Sequence, residues 1–134
     1  MINLEKMINL ARIAVENAYA PYSKFPVGAV VMGTSGNLYV GCNVENAAYP
    51  SGSCAEQSAI AAMVAAGETE IEAILVMGKG ENLVSPCGAC RQRIREFAKK
   101  NIPVYICGLD GVRKETTIEE LLPYSFGPQN LDLK

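Results

Sequence analysis

The stretch Cys54-Ala55-Glu56, read together with Pro86-Cys87-Gly88-Ala89-Cys90, decides how the rest of the chain is organised. It brings three thiols and one carboxylate from two separate segments. Zinc prefers four ligands in a tetrahedron, and a catalytic zinc keeps one of those positions for water. Three cysteines leave that position open, and a glutamate beside one of them can collect and deliver a proton. The pattern therefore predicts a catalytic site with Zn²⁺ as cofactor.

Two other kinds of protein share part of this pattern. A Cys-x-x-Cys pair such as Cys87 and Cys90 also occurs in structural zinc modules and in thiol redox proteins. A structural module would fold on metal without turnover, and it leaves Glu56 unexplained. A redox protein would form a reversible disulfide between the two cysteines and bind no zinc. The joint pattern favours Cys54, Cys87 and Cys90 as ligands, with Glu56 as proton shuttle.

Length and composition predict one domain over residues 1–134, since 49% of the residues are hydrophobic and the chain can enclose a single core. No run of about eighteen apolar residues is present, so we expect no membrane-spanning segment. The first six residues lack the basic lead and apolar stretch of a signal peptide. The odd number of cysteines, five, suits a reducing compartment. We therefore expect a cytoplasmic protein.

The chain contains no histidine, which removes the commonest zinc ligand and the commonest general base. A catalytic zinc must then rely on thiolates, and the proton shuttle must be a carboxylate. Cys42 and Cys107 each end an apolar run and are interpreted as small core residues.

The formal net charge of −2 argues against a nucleic-acid partner held by bulk electrostatics. Five basic residues nevertheless fall on one predicted helix, whose apolar face is supplied by Ile94, Phe97 and Ala98. That arrangement favours a solvated outer face over a nucleic-acid patch. The basic residues are Arg91, Arg93, Arg95, Lys99 and Lys100.

Hydrophobic periodicity and turn residues predict an alternation of helices and strands. Ser53 is the expected cap of the second helix and Gly67 its end. The second and third helices each follow a strand, and helix starts that favour thiolates can converge at the carboxyl ends of strands. The predicted helices cover residues 4–18, 54–66, about 86–100 and 117–120, and the predicted strands cover residues 27–32, 38–42, 71–77, 103–107 and 112–117.

Asn43 and Glu45 follow the second predicted strand directly. Because alternate side chains of an extended segment point the same way, these two offer a donor and a carboxylate acceptor to a diol. Taken by themselves, residues of these types are more often found in turns.

Nearly the whole chain resembles the cytidine deaminases of the small, homotetrameric, three-cysteine zinc type. Their signature sets a ligand, a spacer and a glutamate before a later Pro-Cys-x-x-Cys. The matching segments are 20–25, 27–29, 41–50, 54–56, 85–92, 120–123 and 126–128. The resemblance implies an α/β fold, a three-layer α/β/α sandwich with a mixed five-stranded sheet. It also implies hydrolytic deamination of cytidine and deoxycytidine in pyrimidine salvage, without an organic cofactor.

The resemblance further implies roles for individual residues and a homotetramer in which subunits complete each other's sites. A deaminase of another aminopyrimidine nucleoside, such as blasticidin S, is the alternative, although segments 43–46 and 126–128 favour cytidine. Cys54, Cys87 and Cys90 match zinc ligands, Glu56 the proton shuttle, Asn43 and Glu45 the ribose-binding pair, Phe25 the aromatic wall beside the base, Ala55 a backbone contact to the pyrimidine, and Tyr49 and Phe126 aromatics that reach a neighbouring subunit's site.

Position 57 departs from the resembled pattern, in which Arg usually follows the catalytic glutamate; this chain has Gln57. Zinc with three thiolates carries a net charge of −1, which should acidify its water less than a histidine-rich site does. We predict an active but under-compensated site, so Gln57→Arg should raise turnover or move the alkaline optimum to lower pH. An unchanged pH–rate profile of that variant would count against this expectation.

Overall fold

Residues 1–131 are the part of the chain that the structure, a computed structural model, describes. Each predicted helix and strand is confirmed there, with its ends shifted by at most a few residues. The helices are α1 (Leu4–Asn17), α2 (Ala55–Ala65), α3 (Gly88–Phe97) and α4 (Ile118–Leu121), and the strands are β1 (Val27–Gly33), β2 (Leu38–Cys42), β3 (Ile71–Gly78), β4 (Pro103–Gly108) and β5 (Gly111–Thr117). Short 3-10 turns lie at Tyr49–Ser51 and Pro128–Leu131.

The strands form one mixed sheet in the order β2-β1-β3-β4-β5 within the described residues. β1 pairs antiparallel with β2 and with β3, β3 pairs parallel with β4, and β4 pairs antiparallel with β5. β2, β3 and β4 therefore run in one direction, and their carboxyl ends lie at the same edge of the sheet. The predicted mixed five-stranded sheet is confirmed.

Helices cover both faces of this sheet, because alternate strand residues point to opposite sides. On one face, Met7 of α1 packs in a cluster with Val30 of β1. On the other face, Met63 of α2 and Ile94 of α3 share a cluster with Val31. The fold is thus the three-layer α/β/α sandwich that the resemblance implies. Within residues 1–131, none of the helices combines the length and the apolar character that a membrane crossing requires.

A glycine brings α2 directly against the sheet. A Cβ atom at Gly41 of β2 would lie 2.6 Å from the carbonyl oxygen of Ala55, closer than real Cβ contacts. Ala55 and Ala59, both fully buried, complete this narrow contact. The start of α2 is therefore held against the end of β2 by the absence of side-chain bulk on both elements.

The helix cap and the free cysteines differ in part from expectation. The cap of α2 is Cys54 rather than Ser53, and its side chain makes no capping hydrogen bond. Cys107 is buried as predicted, and burial followed by the charge of Asp110 raises the pKa of its thiol to about 11. Cys42 is only half-buried.

The prediction that the basic residues of α3 form a solvated outer face is wrong for the three arginines, which are all partly buried. Arg91 donates to the carbonyl oxygens of Pro86 and Leu121 at 2.7 and 2.8 Å. Arg95 donates to the Ser125 hydroxyl at 2.8 Å. The bonds to Leu121 and Ser125 attach the C-terminal segment to α3. Arg91 and Arg95 therefore stabilise the fold by internal contacts. The exposed pair that follows, Lys99 and Lys100, contacts Glu70 and Glu72.

We predict that Gly41→Ala lowers the free energy of unfolding by about 1–3 kcal/mol, because the added methyl group overpacks the contact between β2 and α2. Thermal unfolding at fixed protein concentration measures the effect. Gly88→Ala is the matched control, since a methyl group there meets no atom within 4 Å. Equal melting temperatures for the two variants would contradict the account of this contact.

Candidate functional site

The amino termini of α2 and α3 carry the cysteines that the sequence singled out. Cys54 caps α2, Cys87 caps α3, and Cys90 lies in the first turn of α3. Neither side chain makes a capping hydrogen bond to the backbone of its helix, so both sulfurs remain available as ligands. Both helices follow strands that end at the same edge of the sheet, and this shared edge brings the two segments together.

Two of the cysteines and the glutamate form a compact donor cluster. The Sγ atoms of Cys54 and Cys90 and a carboxylate oxygen of Glu56 all lie within 4.8 Å of one another. The two sulfurs are in direct contact, yet their Cα atoms are 7.7 Å apart. Disulfides usually join Cα atoms about 4.4–6.8 Å apart. The backbone is therefore spaced for two ligands of one ion, and thiolate sulfur is a donor that suits zinc.

Cys87, the third predicted ligand, lies outside this cluster. Its side chain is exposed, and its thiol is free. It occupies the residue before α3, one helical turn from Cys90. Of the three predicted ligands, the structure thus groups two and leaves the third at the start of the same helix.

Glu56 is buried, with 5% of its surface exposed. Burial raises the pKa of its carboxyl group, while its own backbone N–H and the charge of Arg93 act in the opposite direction. A carboxyl group of raised pKa takes up a proton more readily than an exposed one. Its position, within reach of the two sulfurs, is the one expected of a proton carrier.

Sequence reasoning missed Arg93 as a site residue. Its Nη1 atom lies 3.6 Å from Sγ of Cys54 and 3.5 Å from Sγ of Cys90. The spacing of three residues between Cys90 and Arg93 on a helix, which places both side chains on one face, could have indicated it. Gln57 also reaches the cluster, with its Oε1 atom 4.0 Å from Sγ of Cys54.

A cleft of about 450 Å³ opens beside the cluster, a volume typical of small-molecule sites. Four of the predicted site residues line it: Asn43, Glu45, Tyr49 and Cys54. Phe25, Ala55 and Phe126 are not among its lining residues. The cleft therefore joins the predicted ribose-binding pair to one predicted metal ligand.

Asn43 and Glu45 also hold the loop that forms one wall of the cleft. Asn43 donates to the carbonyl oxygen of Phe25 at 3.0 Å and accepts from the backbone N–H of Val27 at 2.9 Å. Glu45 accepts from the backbone N–H groups of Tyr22 and Ser23 at 3.0 and 3.1 Å and from the Ser23 hydroxyl.

The Ser23 hydroxyl, followed by the Ser23 backbone N–H, lowers the pKa of the Glu45 carboxyl group. Glu45 is thus an ionised acceptor at neutral pH. A carboxylate has about four lone-pair positions, and three are used here, so Glu45 can accept about one further hydrogen bond from a ligand.

The predicted aromatic contacts are largely exposed. Phe25 is 41% exposed, Tyr49 76% and Phe126 57%. The Tyr49 ring packs edge to face with Tyr22, with 6.1 Å between the ring centroids. The backbone of Phe126 is fixed to α3, because its carbonyl oxygen accepts from Gln92 at 2.8 Å. Large aromatics held open to solvent in this way can contact a ligand or a partner chain.

Comparison with known proteins gives a consistent result over nearly the whole chain. Residues 1–106 match the model of the cytidine and deoxycytidylate deaminase zinc-binding region. The chain is 45% identical over 130 residues to a cytidine deaminase of Sporosarcina psychrophila, with 97% of this chain and 96% of that protein covered. It is 38% identical over 128 residues to a cytidine deaminase of Halalkalibacterium halodurans, with coverage of 96% and 97%.

The fold gives the same result as the sequence. The crystal structure of a cytidine deaminase from Burkholderia pseudomallei matches with a TM-score of 0.86 at 40% identity, covering 94% of this chain and 100% of that one. The chain that carries sulfur and carboxylate groups at two helix starts thus matches cytidine deaminases both in sequence and in fold. The protein belongs to the cytidine and deoxycytidylate deaminase family.

Proposed function

We propose that this protein deaminates cytidine and deoxycytidine hydrolytically, giving uridine or deoxyuridine and ammonia. The observation that carries the proposal is the donor cluster of Cys54, Glu56 and Cys90 beside a cleft lined by Asn43 and Glu45. The relatives named cytidine deaminase support cytidine over other aminopyrimidine nucleosides. The buried carboxylate supports an enzyme over a structural zinc module, which has no use for such a group.

Cys54, Cys87 and Cys90 would hold the zinc ion. The chemistry that zinc supplies when bound is Lewis acidity, which makes water a nucleophile near neutral pH. The unpaired backbone N–H groups at the starts of α2 and α3 favour the thiolate forms of these cysteines. Gln57 contributes a polar contact to Cys54.

Glu56 moves the protons of the reaction. It takes a proton from the attacking water and delivers one to the ring nitrogen, while the water oxygen forms a bond to the amino-bearing carbon. Glu56 then carries the proton of the newly formed hydroxyl group to the amino group, the carbonyl bond forms as the C–N bond breaks, and ammonia leaves. The burial of Glu56 supports this role, because it keeps bulk water from competing for the same protons.

Two residues that line the cleft and two outside its lining orient the nucleoside. Asn43 and the ionised Glu45 bind the sugar hydroxyls, Phe25 forms an aromatic wall beside the base, and the backbone of Ala55 contacts the pyrimidine. The spare hydrogen-bonding capacity of Asn43 and Glu45 in the cleft supports the first assignment. The exposed ring of Phe25 supports the second.

We further propose a homotetramer, in which Tyr49 and Phe126 reach the site of a neighbouring subunit. The support is that both rings are largely exposed while their backbones belong to fixed segments. A subunit interface would bury this apolar surface. The tetramer would then be part of the catalyst.

The setting proposed for this activity is pyrimidine salvage in the cytoplasm, with residues 1–134 acting as one catalytic domain. The odd number of cysteines supports a reducing compartment. Residues 132–134 of that domain lie outside the described residues.

The first test mixes the purified protein with cytidine and follows the change in absorbance as uridine appears. We predict that Glu56→Gln lowers turnover by about 10²- to 10⁴-fold, because the proton carrier is lost. Chelation should also abolish turnover, and added zinc should restore it. Glu5→Gln on α1, across the sheet from the site, is the control and should stay active. Full activity of Glu56→Gln would contradict the assigned mechanism.

A second test concerns recognition of the sugar. We predict that Glu45→Gln raises KM for cytidine about 10- to 100-fold, because a hydrogen bond to a charged group contributes about 1.5–3 kcal/mol. Steady-state kinetics measure the change, with zinc content checked in parallel.

Glu68 offers a matched control for that substitution. Its carboxylate binds Ser35 and Tyr39 around a different loop, as Glu45 binds Ser23. Glu68→Gln should leave KM unchanged. Equal changes in KM for both variants would indicate a general effect on folding and would contradict the proposed contact to the sugar.

A further inference from the structure

α3 places one guanidinium group against sulfurs from two helices. Nη1 of Arg93 lies 3.5 Å from Sγ of Cys90 on its own helix and 3.6 Å from Sγ of Cys54 at the start of α2. We propose that Arg93 is a positioning residue that supplies the positive charge required by the thiolate ligands of the metal site. This inference rests on the proposed function, since it concerns the site that would hold zinc.

The charge of the site explains the need for a cation. One Zn²⁺ and three thiolates sum to −1, and the chain has no histidine to replace a thiolate with a neutral ligand. Binding zinc from three neutral thiols therefore creates a negative charge. Glu56 lies within 4.8 Å of the two sulfurs, so its carboxylate form adds to that charge. A cation beside the sulfurs lowers the electrostatic cost of the loaded state.

The surroundings of Arg93 favour this use. Its side chain is half-buried in the groove between α2 and α3, beside Ile60 and Phe97, where solvent screens charge less than at an open surface. Within residues 1–131, its hydrogen bonds go to the two sulfurs, and it takes part in none of the salt bridges. Arg91 and Arg95, its neighbours on the helix, instead bond to oxygen atoms.

Position 57 is a second position, on α2, from which a positive charge can reach the sulfur of Cys54. Gln57 is neutral, and its Oε1 atom lies 4.0 Å from Sγ of Cys54. An arginine at this position is long enough to reach the same sulfur from α2. If the site requires a positive charge beside the sulfurs, an arginine at position 57 of α2 should replace Arg93 of α3.

The experiment measures zinc affinity by competition with a chromogenic chelator and compares it with turnover of cytidine. Arg93→Gln should bind zinc about 10- to 100-fold more weakly, the usual effect of losing a partner of metal ligands. The double variant Gln57→Arg with Arg93→Gln should recover most of that loss. Lys99→Gln, which removes the same charge from an exposed position, is the control for net charge and should bind zinc as the unaltered protein does.

The outcomes separate this inference from the proposed function. Unaltered protein that neither binds zinc nor converts cytidine would overturn the proposed function. Active protein whose Arg93→Gln variant keeps its zinc affinity would overturn the role of Arg93 alone. If Arg93→Gln does not fold, the double variant decides: recovery of folding and zinc binding supports the inference, and failure to recover overturns it.

The inference changes the expectation for Gln57→Arg. The sequence-based expectation considered position 57 alone, whereas Arg93 also lies beside the two sulfurs. The two substitutions should therefore be strongly non-additive. Gln57→Arg should improve zinc affinity at least about tenfold more in the Arg93→Gln background than in the unaltered protein. Equal effects in both backgrounds would contradict the inference.

Discussion

The structure depends on the meeting of two helix starts at one edge of a mixed sheet. β2 and β3 end at that edge, and the helices that follow them begin with Cys54 and Cys87. The missing side chain of Gly41 lets α2 lie close enough to the sheet for this meeting to occur. That contact fixes the start of α2, with Cys54 and Glu56, against the sheet.

Bringing these groups together concentrates negative charge in a region of limited solvent access. Thiolates and a buried carboxylate repel one another unless cations compensate them. The helix N-termini supply part of the compensation. Arg93 supplies a full charge and touches sulfurs from both helices, so it also ties α3 to the start of α2. The cluster of sulfurs and the packing of its helices are in this sense one electrostatic arrangement.

Around the cleft and at the C-terminal segment, too, single residues serve more than one purpose. Glu45 and Asn43 bind the loop before β1 and still present acceptors and donors to the cleft. α3 holds the C-terminal segment through Arg91, Gln92 and Arg95. Phe126 is thereby kept at a defined place although its ring is exposed. Residues that organise loops thus also line the cleft or hold an aromatic ring open to solvent.

The sequence by itself determined the elements, the layered α/β fold and the chemistry of the cluster. The elements depend on local periodicity and turn residues, and the cluster depends on the chemistry of Cys54, Cys90 and Glu56. The layered fold followed from the resemblance of the sequence to a known family. Only the tertiary structure decided the environment of each charge. It left Cys87 exposed, made Cys54 rather than Ser53 the cap of α2, and turned Arg93 from an expected surface residue into a partner of two sulfurs. The reason is physical: a local pattern fixes which face of a helix a side chain lies on, but the groups opposite that face come from segments distant in sequence.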